Sequence, residues 1–190
     1  MQTLLVSLVA VAIAEIGDKT QLLSLLLAAR YRRPWPIAAG ILVATLANHA
    51  LAAWLGAEVS SRLPHEALVW IVALSFAAVG LWALRPDKIE PDAAERQGAR
   101  GAFAATVIAF FLAEMGDKTQ VATIALAARF NDVLPVAIGT TLGMMIANVP
   151  AVFLGNALIR RVPMTVVRIV AASLFLAIGL WLLAQIAGLV

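Results

Sequence analysis

Two stretches of eight residues place acidic, basic and amide side chains inside long apolar runs. The first runs from Ala14 to Gln21 (Ala-Glu-Ile-Gly-Asp-Lys-Thr-Gln), and the second, 99 residues later, runs from Ala113 to Gln120 (Ala-Glu-Met-Gly-Asp-Lys-Thr-Gln). A charged side chain at the centre of a bilayer costs at least about 2.5–3.5 kcal/mol on insertion scales, and such residues usually mark function. We therefore predict that the two stretches face each other and hold a cation in transit.

The oxygen-bearing side chains predict which ion is held. Hard divalent cations take six or more oxygen ligands from carboxylates, carbonyls and amides. The chain contains no cysteine and only two histidines, so Mn²⁺, Ca²⁺ or Mg²⁺ is favoured over Zn²⁺ or Cu⁺. The predicted ligands are four carboxylates and four amides: Glu15, Asp18, Glu114, Asp117, Gln21, Gln120, Asn48 and Asn148.

Six further residues of the two stretches are expected to support these ligands: Lys19, Lys118, Thr20, Thr119, Gly17 and Gly116. In a continuous helix Glu15 and Asp18 share a face, and Lys19 follows Glu15 at the spacing of an intrahelical ion pair. The lysines are therefore expected to stay in the interior and pair with carboxylates. The glycines weaken the helix and predict a local interruption that frees backbone carbonyls. The threonines add neutral oxygens.

The charges of this set suggest how transport would work. Four carboxylates and two lysines leave two net negative charges, which one divalent ion neutralises. Four clustered carboxylates in a low dielectric cannot all stay ionised without the metal, so some are expected to hold protons. Metal entry would expel these protons, and reprotonation from the other side would expel the metal. Sodium could take the place of the proton, and the residues do not decide between them.

The composition predicts an all-α membrane protein. Of the 190 residues 63% are hydrophobic, with a mean hydropathy of +0.95, against about 45–50% apolar residues in soluble domains. About 20 apolar residues cross the roughly 30 Å hydrocarbon core. We predict six transmembrane helices, at 3–29, 36–59, 66–84, 101–128, 134–159 and 163–187. The first run is too long for the apolar segment of a signal peptide, so it is expected to be a retained helix.

The two halves of the chain are repeats. At an offset of 99, Gly40 matches Gly139 and Gly80 matches Gly179, whereas Asn48 aligns with Asn148 at an offset of 100, which a one-residue insertion explains. His49 has no counterpart, since Val149 takes its place. Three spans per repeat require the second half to enter from the opposite side. The predicted architecture is thus a 3+3 inverted repeat, with residues 1–84 and 101–190 joined by a linker at 85–100, and a site near the midplane.

The basic residues predict the orientation. If both termini lie on one side, nine arginines and lysines of the loops fall on the opposite side, and only Arg62 and Arg129 fall on the side of the termini. The positive-inside bias then puts the linker in the cytoplasm and both termini outside. It also explains the net charge of +3 without nucleic-acid binding.

The doubled Glu-x-Gly-Asp-Lys-Thr motif, once in each three-span repeat, resembles the GDT family of divalent-cation exchangers, which includes the Golgi transmembrane-protein-165 family. The resemblance covers essentially the whole chain. It implies export of Mn²⁺, and in some members Ca²⁺, from the cytoplasm in exchange for protons, with no cofactor beyond the transported ion. The short chain looks like a bacterial inner-membrane member. Its expected partners are the lipid bilayer and the metal ion, and a homodimer is compatible with so small a monomer. The signature falls on Glu15, Gly17, Asp18, Lys19 and Thr20, and on Glu114, Gly116, Asp117, Lys118 and Thr119.

Three alternatives were weighed against a cation/proton antiporter. An exporter of an amino acid or another small organic solute would have a related shape, but four acidic groups and no aromatic cage argue against it. An intramembrane metalloenzyme needs an open coordination position and a nucleophile or base, and no Ser/His or His/Glu pairing is evident in the sequence. A protein of assembly or regulation without transport activity is the third.

Overall fold

The computed structural model describes residues 1–85, 101–154 and 164–188. These residues form eight helices and no strand, which confirms the all-α prediction. Most of the predicted linker, as well as the end of the predicted fifth span, lies outside the described residues. The helices are α1 Gln2–Glu15, α2 Lys19–Tyr31, α3 Pro34–Arg62, α4 His65–Ala83, α5 Ala102–Glu114, α6 Lys118–Phe130, α7 Val133–Leu154 and α8 Met164–Ile186.

Four of these helices are long and apolar enough to cross a membrane: α3, α4, α7 and α8. The predicted first and fourth spans are each divided in two, as α1 with α2 and as α5 with α6. The helices α1 and α5 are apolar but shorter than a single crossing requires. Each motif lies at one of the two breaks, so the chemistry-bearing residues sit at helix ends rather than on continuous helices.

The two halves end their motif-bearing helices in the same way. After α2, Arg32 adopts a left-handed conformation with φ of 52° and its N–H donates to the Ala28 carbonyl, 2.9 Å away. After α6, Asn131 has φ of 50° and donates to the Ala127 carbonyl, at 2.8 Å. Both pairs are offset by 99 residues. The sequence repeat is therefore also a repeat of local structure.

Contacts between the halves are reciprocal. Helix α1 packs on α7, and its counterpart α5 packs on α3. A Cβ added to Gly40 of α3 would lie 2.9 Å from the carbonyl oxygen of Phe103 in α5, and a Cβ added to Gly139 of α7 would lie 2.5 Å from that of Leu4 in α1. Phe103 follows Leu4 by 99 residues. Each half thus packs its first helix against the other half.

The equivalent helices α4 and α8 run antiparallel. The late residue Gly80 of α4 faces the early Ala172 of α8, and the late Gly179 faces Ala73, with distances from the built Cβ to the opposite carbonyl of 3.1 and 3.0 Å. The rings of Phe76 and Phe175, again 99 residues apart, stack between them with centroids 6.1 Å apart.

Gly56 of α3 lies close against the backbone of α6. A Cβ at this position would lie 2.2 Å from the carbonyl oxygen of Ile124 in α6. Because a backbone atom cannot move aside as a side chain does, we expect Gly56→Ala to destabilise the protein by about 1–3 kcal/mol. Thermal unfolding of the detergent-solubilised chain measures this loss.

The matched control is Gly101→Ala, since nothing lies within 4 Å of a Cβ built at Gly101. Its unfolding temperature should stay close to that of the wild type. Equal unfolding temperatures for the two variants would contradict the close packing of α3 on α6.

Candidate metal centre

Both motifs interrupt their helices with the same backbone conformation. Gly17 has φ of +78° and Gly116 has φ of +73°, a region that glycine enters without the steric cost of a Cβ. Helix α1 ends at Glu15, and α2 begins after Asp18, which has an extended conformation with φ of −78° and ψ of 169°. The predicted interruption at the glycines is confirmed.

Each break is closed by the glutamine that ends its motif. The Gly17 N–H donates to Gln21 Oε1 at 2.9 Å, and the Gly116 N–H donates to Gln120 Oε1 at 2.7 Å. The amide nitrogen of each glutamine then reaches the other half: Gln21 Nε2 donates to the Ala147 carbonyl, 2.8 Å away, and Gln120 Nε2 donates to the Asn48 side chain. The glutamines therefore fix the shape of the breaks and tie the two halves together.

Three carboxylates from the two motifs meet at the breaks. One oxygen each from Glu15, Glu114 and Asp117 lies within 4.8 Å of the others, and all three residues are buried. Glu15 belongs to the first motif, whereas the other two belong to the second. The meeting of the motifs brings together acidic groups whose burial without a compensating cation is costly.

Asp18 lies outside this group of three carboxylates and pairs with a lysine of the other motif. Lys118 Nζ donates to Asp18 Oδ1 at 2.5 Å. Symmetrically, Lys19 Nζ lies 3.1 Å from Asp117 Oδ1. The two ion pairs cross between the halves, and the two lysines differ in exposure, at 25% for the Lys19 side chain and 5% for that of Lys118.

The predicted intrahelical pair of Glu15 with Lys19 is wrong. The spacing of four residues brings side chains together only in a continuous helix, and the helix stops between these two residues. The same interruption removes the shared helical face predicted for Glu15 and Asp18. The lysines do pair with carboxylates, as expected, but with those of the opposite motif.

The two motif threonines orient the glutamates. Thr20 Oγ1 donates to Glu15 Oε2 at 2.5 Å, and Thr119 Oγ1 donates to Glu114 Oε2 at 3.1 Å. The other oxygen of each glutamate, Oε1, is buried and has no hydrogen-bond partner among the described residues. Each glutamate is thus oriented through Oε2, and its Oε1 makes no hydrogen bond among the described residues.

The two asparagines make hydrogen bonds between and within helices. Asn48 of α3 donates to the Phe111 carbonyl at 3.5 Å and accepts the bond from Gln120. Asn148 of α7 donates to the Met144 carbonyl at 3.1 Å and accepts from Ser24 Oγ, also at 3.1 Å. These contacts hold α3 and α7 against the breaks. These hydrogen bonds can position α3 and α7 at the site without either amide binding an ion.

His49 was not among the predicted site residues, yet it lies at the site. It is fully buried, and its Nε2 is 3.9 Å from Glu114 Oε2. No His/Glu pairing is evident in the sequence because these residues are 65 positions apart, and only the packing of α3 against the second break brings them together. The available signal was the position beside Asn48 together with the absence of a counterpart in the other half.

A cavity beside the first break has a volume of about 10 Å³, close to the room that one water molecule needs. Asp18 and Lys118 line it together with Val167 and Arg168 of α8. The Asp18–Lys118 pair is therefore next to a small polar space between the break and the start of α8.

Taken together, the buried carboxylates offer oxygen ligands to a hard divalent cation. A family model described as "Divalent cation/proton antiporter GDT1" matches residues 3–91 and 102–188. A Vibrio cholerae protein named "Putative manganese exporter" is 53% identical over 181 residues, which cover 95% of this chain and 90% of that protein.

More distant relatives share the same extent. A GDT1-like protein of Synechocystis is 31% identical over 188 residues, covering 88% of this chain and 90% of the relative. GDT1-like protein 3 of Arabidopsis thaliana is 28% identical over 192 residues, covering 87% of this chain and 65% of the relative. No solved structure matches the chain significantly.

Proposed function

We propose that this chain exports Mn²⁺ from the cytoplasm in exchange for protons. It belongs to the GDT1 family of divalent cation/proton antiporters. The observation that carries the proposal is the meeting of Glu15, Glu114 and Asp117 within 4.8 Å in the buried interior. Two oxygens bound to one cation lie at most about 4.2–5.2 Å apart for metal–oxygen distances of about 2.1–2.6 Å. The three carboxylates are therefore spaced as ligands of one ion.

The remaining motif residues have supporting roles in this proposal. The threonines orient the two glutamates, and Gln21 and Gln120 shape the breaks. Asp18 would bind the metal only after its ion pair with Lys118 breaks, so the lysine competes with the metal for this carboxylate. Asn48 and Asn148 position α3 and α7 against the motifs. The three carboxylates come from one chain, so the proposal needs no homodimer.

Exchange with protons follows from competition for the same carboxylates. The four motif carboxylates and two motif lysines carry a net charge of two negatives, which a divalent ion or two protons neutralise. Because metal binding requires deprotonated ligands, binding releases protons and weakens as the pH falls. The name of the Vibrio cholerae relative, "Putative manganese exporter", supports Mn²⁺ as the cargo. Oxygen ligands of this kind also accept Ca²⁺.

A 3+3 inverted repeat in the membrane is supported by three features. The equivalent helices α4 and α8 run antiparallel, and each pair of short helices, α1 with α2 and α5 with α6, would together make one crossing. The ends of α3, α6 and α8 also meet at one side of the molecule, around a cavity of about 250 Å³ lined by Ser60, Arg129 and Gln185, among others. If six crossings alternate in direction and both termini lie on that side, the ends of α3, α6 and α8 must lie there too.

The orientation and location follow from the loop charges. The positive-inside bias would put residues 85–100 in the cytoplasm and both termini outside. For a bacterial member, this is an inner-membrane protein with several spans. A motif-bearing break halfway through the first and fourth crossings would then lie near the midplane of the bilayer, where transporters with broken helices bind their ions.

Transport into proteoliposomes tests the proposed function. We expect the purified chain to accumulate Mn²⁺ inside vesicles whose interior is more acidic than the medium, and to release protons from them as Mn²⁺ enters. Collapse of the pH gradient with a protonophore should stop the accumulation. Accumulation that ignores the proton gradient but follows an imposed Na⁺ gradient would instead assign sodium as the counter-ion. Uptake of an organic solute without any Mn²⁺ flux would favour the alternative exporter.

A further inference from the structure

His49 is buried without an evident partner. The residue has no solvent exposure, and neither Nδ1 nor Nε2 makes a hydrogen bond within the described residues. Buried polar side chains nearly always have a partner, and each exception calls for an explanation such as an ion that completes the site. The imidazole therefore points to a ligand that binds at this position.

One distance places this imidazole beside a carboxylate of the site. His49 Nε2 lies 3.9 Å from Glu114 Oε2, and Glu114 is one of the three carboxylates that lie within 4.8 Å of one another. Two ligands bound at about 2.1 Å to the same ion are at most about 4.2 Å apart. The nitrogen and the carboxylate oxygen are thus already close enough to share one ion.

We propose that His49 is a nitrogen ligand of the transported metal and the residue that selects Mn²⁺ over Ca²⁺ and Mg²⁺. The proposal rests on the proposed function, since it names a further ligand at the same site. Calcium and magnesium take oxygen ligands, whereas a neutral imidazole binds first-row transition metals well. A single nitrogen among carboxylates therefore favours a transition metal without making the nitrogen- and sulfur-rich site typical of zinc.

The repeat itself supports a specialised role for this side chain. The motif carboxylates, threonines and glutamines all occur twice, but His49 is matched by Val149 in the second half. A residue needed only for packing could be apolar, as Val149 is at the matching position of the second half. One imidazole from one half makes the ligand set asymmetric, so the selectivity of the site depends on a single position.

Pulsed electron paramagnetic resonance of bound Mn²⁺ tests the proposal directly. The full chain is prepared with ¹⁵N-labelled histidine, its purification tag is removed, and Mn²⁺ is added in detergent solution. The chain has two histidines, and His65 is exposed at the start of α4, so His65→Gln is the matched control. We expect ¹⁵N coupling to Mn²⁺ in the wild type and in His65→Gln, where it can arise only from His49. We expect no such coupling in His49→Gln.

Competition between ions gives the second measurement. Glutamine offers an oxygen in place of the nitrogen, so His49→Gln should lower the ratio of Mn²⁺ affinity to Ca²⁺ affinity by about tenfold or more. Bound Mn²⁺ without ¹⁵N coupling in the wild type, or coupling that persists in His49→Gln, would overturn the role of His49 and leave the carboxylate site standing. Failure of the wild type to bind or transport Mn²⁺ would instead overturn the proposed function. If His49→Gln does not fold, the spectra of the wild type and His65→Gln still decide the question.

Discussion

Replacement of Glu15 by Gln is expected to lower the rate of proton-driven Mn²⁺ transport by at least about 100-fold. Loss of a residue that merely supports a metal ligand typically costs 10- to 100-fold, and Glu15 is proposed as a ligand itself. Glutamine keeps the size of the side chain and can still accept the bond from Thr20. It removes the negative charge and the site where a proton competes with the metal.

Initial rates of Mn²⁺ uptake into proteoliposomes, with Mn²⁺ binding measured by calorimetry, check this expectation. Asp117→Asn should give a similar loss, because Asp117 belongs to the same group of carboxylates. The control is Glu58→Gln, which removes a carboxylate from the surface pair of Glu58 with Arg62 and should leave transport near the wild-type rate. Unchanged uptake in both Glu15→Gln and Asp117→Asn would show that these carboxylates do not bind the transported ion.

Replacement of Asp18 by Asn is expected to destabilise the protein by about 3–5 kcal/mol, because it removes one partner of a buried ion pair and leaves the other charge buried. Lys118 has only 5% of its side chain exposed, and its Nζ lies 2.5 Å from Asp18 Oδ1. The double variant Asp18→Asn/Lys118→Gln removes both charges and should recover most of the lost stability. Its transport should remain impaired, since an acidic group of the motif is still missing.

Denaturant unfolding in detergent, carried out as a double-mutant cycle, measures the coupling between Asp18 and Lys118. Glu58→Gln is again the control, since a surface ion pair contributes only about 0–1 kcal/mol. A double variant as unstable as Asp18→Asn alone would show that the two side chains are not coupled and would contradict the crossed pairing of the motifs.

The sequence predicted more of the fold than of the site. Apolar run lengths and the offset of 99 predicted helices and two related halves, and the glycines of the motifs predicted the interruptions, because glycine alone enters the left-handed region cheaply. The pairing of Lys19 was predicted wrongly because helical spacing does not apply across an interruption. The partner of each lysine depends on how the two halves pack, and local spacing carries no information about that.

The location of His49 at the site could not be predicted from local spacing either. Its neighbour Asn48 could be singled out because it has a counterpart, Asn148. A residue that occurs in only one half has no such signal. Its contact with Glu114 is produced by α3 packing close to the second break, which the backbone of Gly56 permits along the same helix. Comparison of the halves identifies shared residues as candidates, whereas a missing counterpart does not by itself place a residue at the site.

The unequal exposure of the two motif lysines has a consequence for how a carrier could work. The motifs are nearly identical, yet Lys19 is partly open to the surroundings and Lys118 is almost closed off. In the proposed inverted repeat, a second arrangement in which each motif takes the setting of the other would have a similar energy. In that arrangement Lys118 would be the accessible one, and the opposite face of the bilayer would reach the ion. The doubling of the sequence would thus supply both end states of the cycle from one set of contacts.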